Sequence, residues 1–217
     1  LRDAKLKLSG DLRRDYWRSR MLARRGPLRL DANNLWPESA TAVSHLARLT
    51  DFAWAVEEPV KARDMIAMGA IGEQTGLEIV LDESFLSARD LDSLPSNAKF
   101  AVNVRVSKHG GLLRTLSAIE AARARGLKVI VGAQVGETSI LARAGLVAVS
   151  AAGDALAGYE GGYGTHLLAR DLTKRSLTIG TGGAFPSDAL ATITGPGLGL
   201  DLAPDAPLVE TSFSRSR

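Results

Sequence analysis

Five residues able to do proton or metal chemistry stand at near-equal intervals along the chain: Lys7, Asp31, Glu57, Asp82 and Lys108, separated by 24, 26, 25 and 26 residues. Each closes a short apolar run. Three carboxylates brought together would repel, so one must take up a proton or a cation must sit among them. Oxygen-only donors, with no histidine or thiolate beside them, suit a hard ion; Mg2+ is the expected one, with Mn2+ as the alternative. Lysines flank the acidic trio. A lysine is a poor base at its ordinary pKa of about 10.4, but burial or a neighbouring cation can bring it to ~7–8. Lys5, on the same strand face as Lys7, is such a cation. A carboxylate substrate could then lose its α-proton to one lysine while the ion holds the developing enolate charge.

Positioning these groups requires a repeating scaffold, and an interval of about 25 residues is the length of one strand, one helix and two loops in a (β/α) barrel. In Ala4-Lys5-Leu6-Lys7-Leu8 the two lysines share one strand face and the apolar residues the other. Asp11 is an N-cap for a helix over 12–23, and Gly26-Pro27 ends it. The pattern then repeats: strand 28–31 and a helix opened by Pro37; strand 52–57 and a helix opened by Pro59 and closed by Gly76; strand 78–82 and a short helix over 88–94. Strand 100–106 leads through Gly110-Gly111 to helix 112–125, strand 127–133 to helix 137–149, and a seventh strand is expected near 155–159. Such alternation implies parallel pairing with right-handed crossovers. An open doubly wound sheet would concentrate its site at one switch point, whereas here a polar residue ends strand after strand. Closure takes about eight strands, so one is expected to be missing at the front. The barrel is expected over 1–172, with 173–217 as a glycine-rich segment of loops and a frayed tail at 212–217.

Composition excludes other classes. With 217 residues, 45% of them hydrophobic, the chain can bury one large core. It has no cysteine, hence no disulfide framework and no thiolate metal site. No apolar run approaches the ~20 residues of a membrane span, and a cytoplasmic location is expected. Ten Lys or Arg against three Asp crowd residues 1–29, but the net charge is only +3. A charge run of this kind on a helix is a solvated face, so nucleic acid is not an expected partner. Neither a Walker loop nor a strand-to-helix Gly-x-Gly-x-x-Gly fingerprint is present.

The ordered motifs Lys5-Leu6-Lys7, Asp31-Ala32-Asn33, Glu57-Glu58-Pro59, Asp82-Glu83-Ser84 and Ser107-Lys108-His109-Gly110-Gly111 resemble the enolase superfamily, specifically its muconate-lactonizing-enzyme subgroup. The resemblance implies a TIM-like (β/α)7β barrel, here without the N-terminal capping domain and the first barrel strand. It implies Asp31, Glu57 and Asp82 as magnesium ligands, Lys7 and Lys108 as the acid/base pair and Lys5 as support for Lys7. The implied reaction is α-proton abstraction from a small carboxylate, leading to racemisation or epimerisation, cycloisomerisation or dehydration. Asn33, Glu83 and Glu160 are candidate substrate contacts. The Asp-x-Asp pair of the subgroup's dipeptide epimerases does not occur, and Glu160 is the nearest acidic residue in its place.

Strand parity selects Glu57 over Glu58 as the inward residue, because Ala53, Ala55 and Glu57 share a face. Lys108 has the opposite parity from Asn103 and Arg105, so a bulge or loop must set its direction. Two other readings of the same residues are a Schiff-base aldolase using Lys7 or Lys108 and a folded but catalytically incomplete body. In the latter the cap would come from a companion chain, or the open edge would be covered by homo-oligomerisation. His45 and His166 have no acidic neighbour at ligand spacing, His109 is expected at the mouth or in solvent, and the three tryptophans are packing residues.

Overall fold

The alternation of Leu28 and Leu30 with Arg29 and Asp31 sets the plan: one strand face packs under helices and the other turns into a curled sheet. A computed structural model describes residues 4–206 apart from Thr192; the expected tail at 212–217 lies outside the described residues. The chain runs β1 (Ala4–Lys7), α1 (Leu12–Leu22), β2 (Leu28–Asp31), α2 (Ser39–Leu46), β3 (Ala53–Glu57), α3 (Met65–Thr75), β4 (Glu78–Leu81), a 3-10 helix (Ala88–Ser93), β5 (Phe100–Val104), α4 (Leu112–Ala124), β6 (Lys128–Val131), α5 (Ser139–Ala152) and β7 (Leu156–Tyr159). The seven strands form one sheet in sequence order, all parallel. It curls until its two ends approach: Lys5 Nζ on β1 lies 3.1 Å from a carboxylate oxygen of Glu160, just past β7. This is an incomplete α/β barrel, with no pairing between β7 and β1 among the described residues.

Packing follows the two faces. Leu28, Leu30, Val56, Ile79, Leu81, Val102, Val104, Val129 and Val131 are buried in the layer between sheet and helices, with Leu46, Met68, Ile71 and Ile119 from the helices. Burying each such side chain is worth about 1.5–3 kcal/mol. A smaller cluster of Ala55, Val80, Ala101 and Ile130 fills the concave side, as inward layers do in barrels of this kind. Register then carries the chemistry upward: Lys7 pairs with Asp31 and Asp31 with Glu57, while Glu57 pairs with Val80, two residues before Asp82.

Helix ends match the sequence signals in part; Pro37, expected to open a helix, stands outside α2, which starts at Ser39 after Glu38. Asp11 caps α1 by accepting from the Arg14 amide, and Gly76 ends α3 in the left-handed region at φ 73°. Pro59, however, opens no helix. Glu58 and Arg63 both have positive φ, 42° and 69°, which breaks the helical path, and α3 starts at Met65 under an Asp64 cap. The stretch after β4 forms a 3-10 helix bounded by a Ser87–Asp90 capping box. Beyond β7 come a 3-10 turn (Gly164–Leu167), a short α6 (Ser187–Ala191) and an isolated antiparallel bridge between Thr173 and Leu202. No helix among the described residues is long and apolar enough to cross a membrane.

Candidate active site at the mouth of the curled sheet

All the carboxyl ends of the strands open on one mouth, which holds a cavity of about 460 Å³, a size that suits a small ligand. Its lining includes Lys5, Lys7, Asp31, Asn33, Glu83, Arg105 and Glu160. Lys7 is open to solvent, its side chain 63% exposed, with Nζ 3.1 Å from Asp31 Oδ2 and 2.5 Å from Asn33 Oδ1. Asn33 and Asn34 take left-handed φ of 46° and 58°, which asparagine tolerates better than most residues; that turn brings the Asn33 amide over Lys7.

Lys5 lies one layer deeper and binds three carboxylates, at 3.2 Å from Asp31, 3.6 Å from Glu57 and 3.1 Å from Glu160. Burial pulls its pKa down, but Glu57, Glu160 and Asp31 together outweigh burial and the opposing Arg29 charge, so it is raised overall. Arg29, fully interior, spans the floor: one arm is 2.7 Å from Glu57 and the other 2.5 Å from Glu160. Glu57 also accepts from Asn103 Nδ2 at 3.0 Å. Burial pushes the Glu160 carboxyl up, yet Arg29 and Lys5 hold it below its ordinary range. The carboxylate expected to meet substrate is thus engaged with two basic side chains, and it ties β7 to β1 and β2.

Across the mouth, Asp82 is buried between two cations. Lys108 Nζ is 2.8 Å from its Oδ1, and the Arg105 guanidinium contacts its Oδ2. The Lys108 ammonium also donates to the main-chain carbonyls of Asp82 and Asn103, each at 2.7 Å. Burial, and then the Arg105 charge, draw the Lys108 pKa down to about 7 against the pull of Glu83, Glu58 and Glu57. The bulge anticipated from parity is a turn after β5: the Lys108 ammonium reaches the Asp82 carboxylate, and Arg105 lines the cavity. Gly132 at the end of β6 makes room for this, since a Cβ there would sit 3.1 Å from Asn103 Cγ and 3.2 Å from Arg105 Cγ. His109 is buried against the Phe85 ring at 5.4 Å; burial and the neighbouring Lys108 lower its pKa.

Glu58 was not a candidate, yet it organises three strand-end loops. Pointing away from Glu57, it accepts from the amides of Asp82 and Ser84, both at 2.7 Å, from Ser84 Oγ at 2.8 Å and from Asn34 Nδ2 at 3.2 Å. Burial pushes this carboxyl up to about 7, the bonds from Ser84 and Asn34 opposing. A left-handed glutamate costs of order 1–3 kcal/mol, and this clasp holds it there. A second buried acid, Asp15, accepts from Ser9 and Gly10 in the loop after Lys7 and meets His45 Nε2 at 3.2 Å. His45 therefore has the acidic partner that linear spacing did not reveal. Arg29 and Arg105 could have been found by parity, since they share strand faces with Asp31 and Asn103.

Whether the mouth suits a divalent ion can be tested on its donors. Asp31, Glu57 and Asp82 are buried at 2%, 1% and 1% exposure, and they offer only oxygen. That chemistry fits Mg2+. The spacing is that of acids paired with Lys5, Arg29, Arg105 and Lys108: among the described residues no group of three or more His, Cys, Asp or Glu stands where one ion could be shared. Each of the three carboxylates has a basic partner in this structure.

Comparison with known proteins agrees with this architecture. The family described as enolase C-terminal domain-like matches residues 1–206. A hydrophobic dipeptide epimerase from Enterococcus faecalis is 31% identical over 115 residues, 52% of this chain and 32% of that protein. The crystal structure of a muconate lactonizing enzyme from Klebsiella pneumoniae superposes with a TM-score of 0.77 at 27% identity, covering 92% of this chain and 56% of the other. A dipeptide epimerase from Cytophaga hutchinsonii, crystallised with Mg and the dipeptide D-Ala-L-Val, shares the fold at a TM-score of 0.77 and 23% identity, over 94% of this chain and 55% of that one. The chain thus spans about half the length of the crystallised relatives it matches.

Proposed function

This chain belongs to the enolase C-terminal domain-like family, and from that premise we propose that it carries the proton-abstraction site of a magnesium-dependent enzyme acting on a small carboxylate. The single observation that carries the reading is Lys7: an open lysine at the lip of a cavity, held by Asp31 and Asn33 and backed by three carboxylates on successive strand ends. Asp31, Glu57 and Asp82 would hold Mg2+, with Mn2+ as the alternative, and the ion would supply positive charge where the enolate develops.

The chain's own residues do the rest. Lys7, as the free amine, takes the α-proton; Asn33 and Asp31 fix its nitrogen over one face of the substrate. The C–H electron pair moves into the enolate, whose negative charge meets the cationic wall of Lys5 and Arg105. Lys5 is committed to three carboxylates and keeps the floor charged rather than exchanging protons. Racemisation or epimerisation, cycloisomerisation and dehydration differ in what the enolate does next. The related epimerase and lactonizing enzyme support the first two of these outcomes.

Solvent exchange tests the reading. In D2O with Mg2+, substrates bearing an α-proton should gain deuterium with the wild type, and Lys7→Met should abolish the gain while thermal melting stays unchanged. Equal exchange by both proteins would refute it. Borohydride treatment with pyruvate should leave no adduct at Lys7 or Lys108, which separates this chemistry from a Schiff-base aldolase.

A further inference from the structure

We propose that the group facing Lys7 across the mouth is Arg105, a permanent cation, so that this site moves protons from one face of its substrate only and grips the substrate's carboxylate from the other. The inference rests on the proposed reading for its proton chemistry, but its geometric part stands apart from it. β1 and β5 lie four strands apart in a curled sheet of seven, which sets their mouth-facing side chains against each other. On β1 that side chain is Lys7; on the β5 side the cavity is lined by Arg105, with Lys108 outside the lining. The three ammonium protons of Lys108 match three acceptors, Asp82 Oδ1 and the carbonyls of Asp82 and Asn103, at 2.7–2.8 Å. Turning Lys108 toward a substrate would break all three contacts, although the Asp82 carbonyl would keep the Phe85 amide.

Arg105 is placed differently. Its one partner among the described residues is the Asp82 carboxylate, and its Nε makes no hydrogen bond. Five fixed N–H donors with one acid engaged leave donors for a second carboxylate, the geometry that arginine recognises best. Gly132 keeps the space into which its stem fits. An arginine does not give up its proton in a protein, so it can hold an anion but cannot receive or deliver the α-proton.

The proton balance follows. Lys7 removes the proton as the C–H bond breaks and becomes an ammonium; the electron pair enters the enolate. Return of that proton, or of a deuteron exchanged onto Lys7 from solvent, reaches the same face and restores the starting configuration. If a β-substituent is present, the pair can instead expel it, with the Lys7 proton passing to the leaving group. Inversion needs a second lysine-like base opposite, and among the described residues the β5 side of the cavity presents Arg105 in that place.

Two measurements on the full chain test this. The first needs no turnover: calorimetric binding of benzoate, with and without Mg2+, should be weakened about tenfold or more by Arg105→Gln. Undetectable binding to the wild type, or equal binding by the variant, would overturn the anchoring role. The second follows L-alanyl-L-glutamate, N-succinyl-L-phenylalanine and L-mandelate in D2O with Mg2+ by mass and chiral chromatography. The wild type should incorporate deuterium with retained configuration, and Arg105→Lys, which places a titratable amine on the far wall, should begin to invert it. Inversion by the wild type as fast as its exchange, or no gain in Arg105→Lys, would overturn the one-face assignment. No exchange with any probe, alongside Arg105-dependent benzoate binding, would refute the proton-abstraction reading and the one-face assignment resting on it, and leave only the carboxylate anchor standing.

Discussion

The two sides of the mouth carry the same ingredients, a lysine and an aspartate, arranged to opposite ends. On the β1–β2 side Lys7 stands 63% exposed beside Asp31. On the β4–β5 side Lys108 is 10% exposed, wrapped around Asp82 and two main-chain carbonyls, while Arg105 takes the place at the cavity wall. The difference teaches that strand parity, more than residue type, decides which cation meets a ligand. Lys7 follows the inward alternation of its strand; Lys108, three residues past Arg105, lies beyond the strand in a turn that brings its ammonium to Asp82.

The largest way to break this comparison is at Lys7. Its loss removes the amine on the open side, and exchange should fall by at least about 10²–10⁴-fold, the usual worth of a general base, with the melting temperature unchanged. Next comes Glu58, which pins the loops of both sides. Glu58→Ala leaves the Asp82 and Ser84 amides without their acceptor, and each buried donor stranded this way costs about 1–3 kcal/mol; urea unfolding should show a loss of that order or larger, with Glu58→Gln milder because its oxygen still accepts.

Glu58 also predicts a pH effect of definite sign. Its pKa rises on folding from an ordinary 4.5 to about 7, so the folded state holds the proton more tightly than the unfolded chain. Stability from this group is therefore full below pH 4.5 and is lost as pH rises through about 7. Wild type minus Glu58→Gln stability, followed from pH 4 to 8, should decline across that window; a flat or rising difference would contradict it. A smaller effect is expected at Gly132. Adding a Cβ there crowds Asn103 and Arg105 and should cost about 1–3 kcal/mol, with weaker benzoate binding and little change at Lys7.

Much of this was legible in the chain because period and polarity coincide. Parallel β/α units, the inward face of β3 and the placement of Lys7, Asp31, Glu57 and Asp82 at one mouth all follow from alternation and spacing. The parts that were not legible depend on groups meeting through the fold. Pro59 reads as a helix start, but the left-handed residues Glu58 and Arg63 turn the chain into a loop that lets Glu58 reach Asp82 and Ser84. Glu160 reads as a free acid near substrate, but curling of the sheet delivers it to Lys5 and Arg29, 155 and 131 residues away. His45 finds Asp15 for the same reason. Charge pairing across strands has no local signature, which is why the pairing of Glu57 with Arg29 and of Asp82 with Arg105 was not legible.

The central claim is that Lys7 is the group that moves the substrate's proton. Its most direct test is deuterium incorporation at the α-carbon of a carboxylate substrate, comparing wild type with Lys7→Met in D2O and Mg2+. The account predicts incorporation by the wild type and none by the variant at unchanged stability; incorporation by Lys7→Met at the wild-type rate would contradict it.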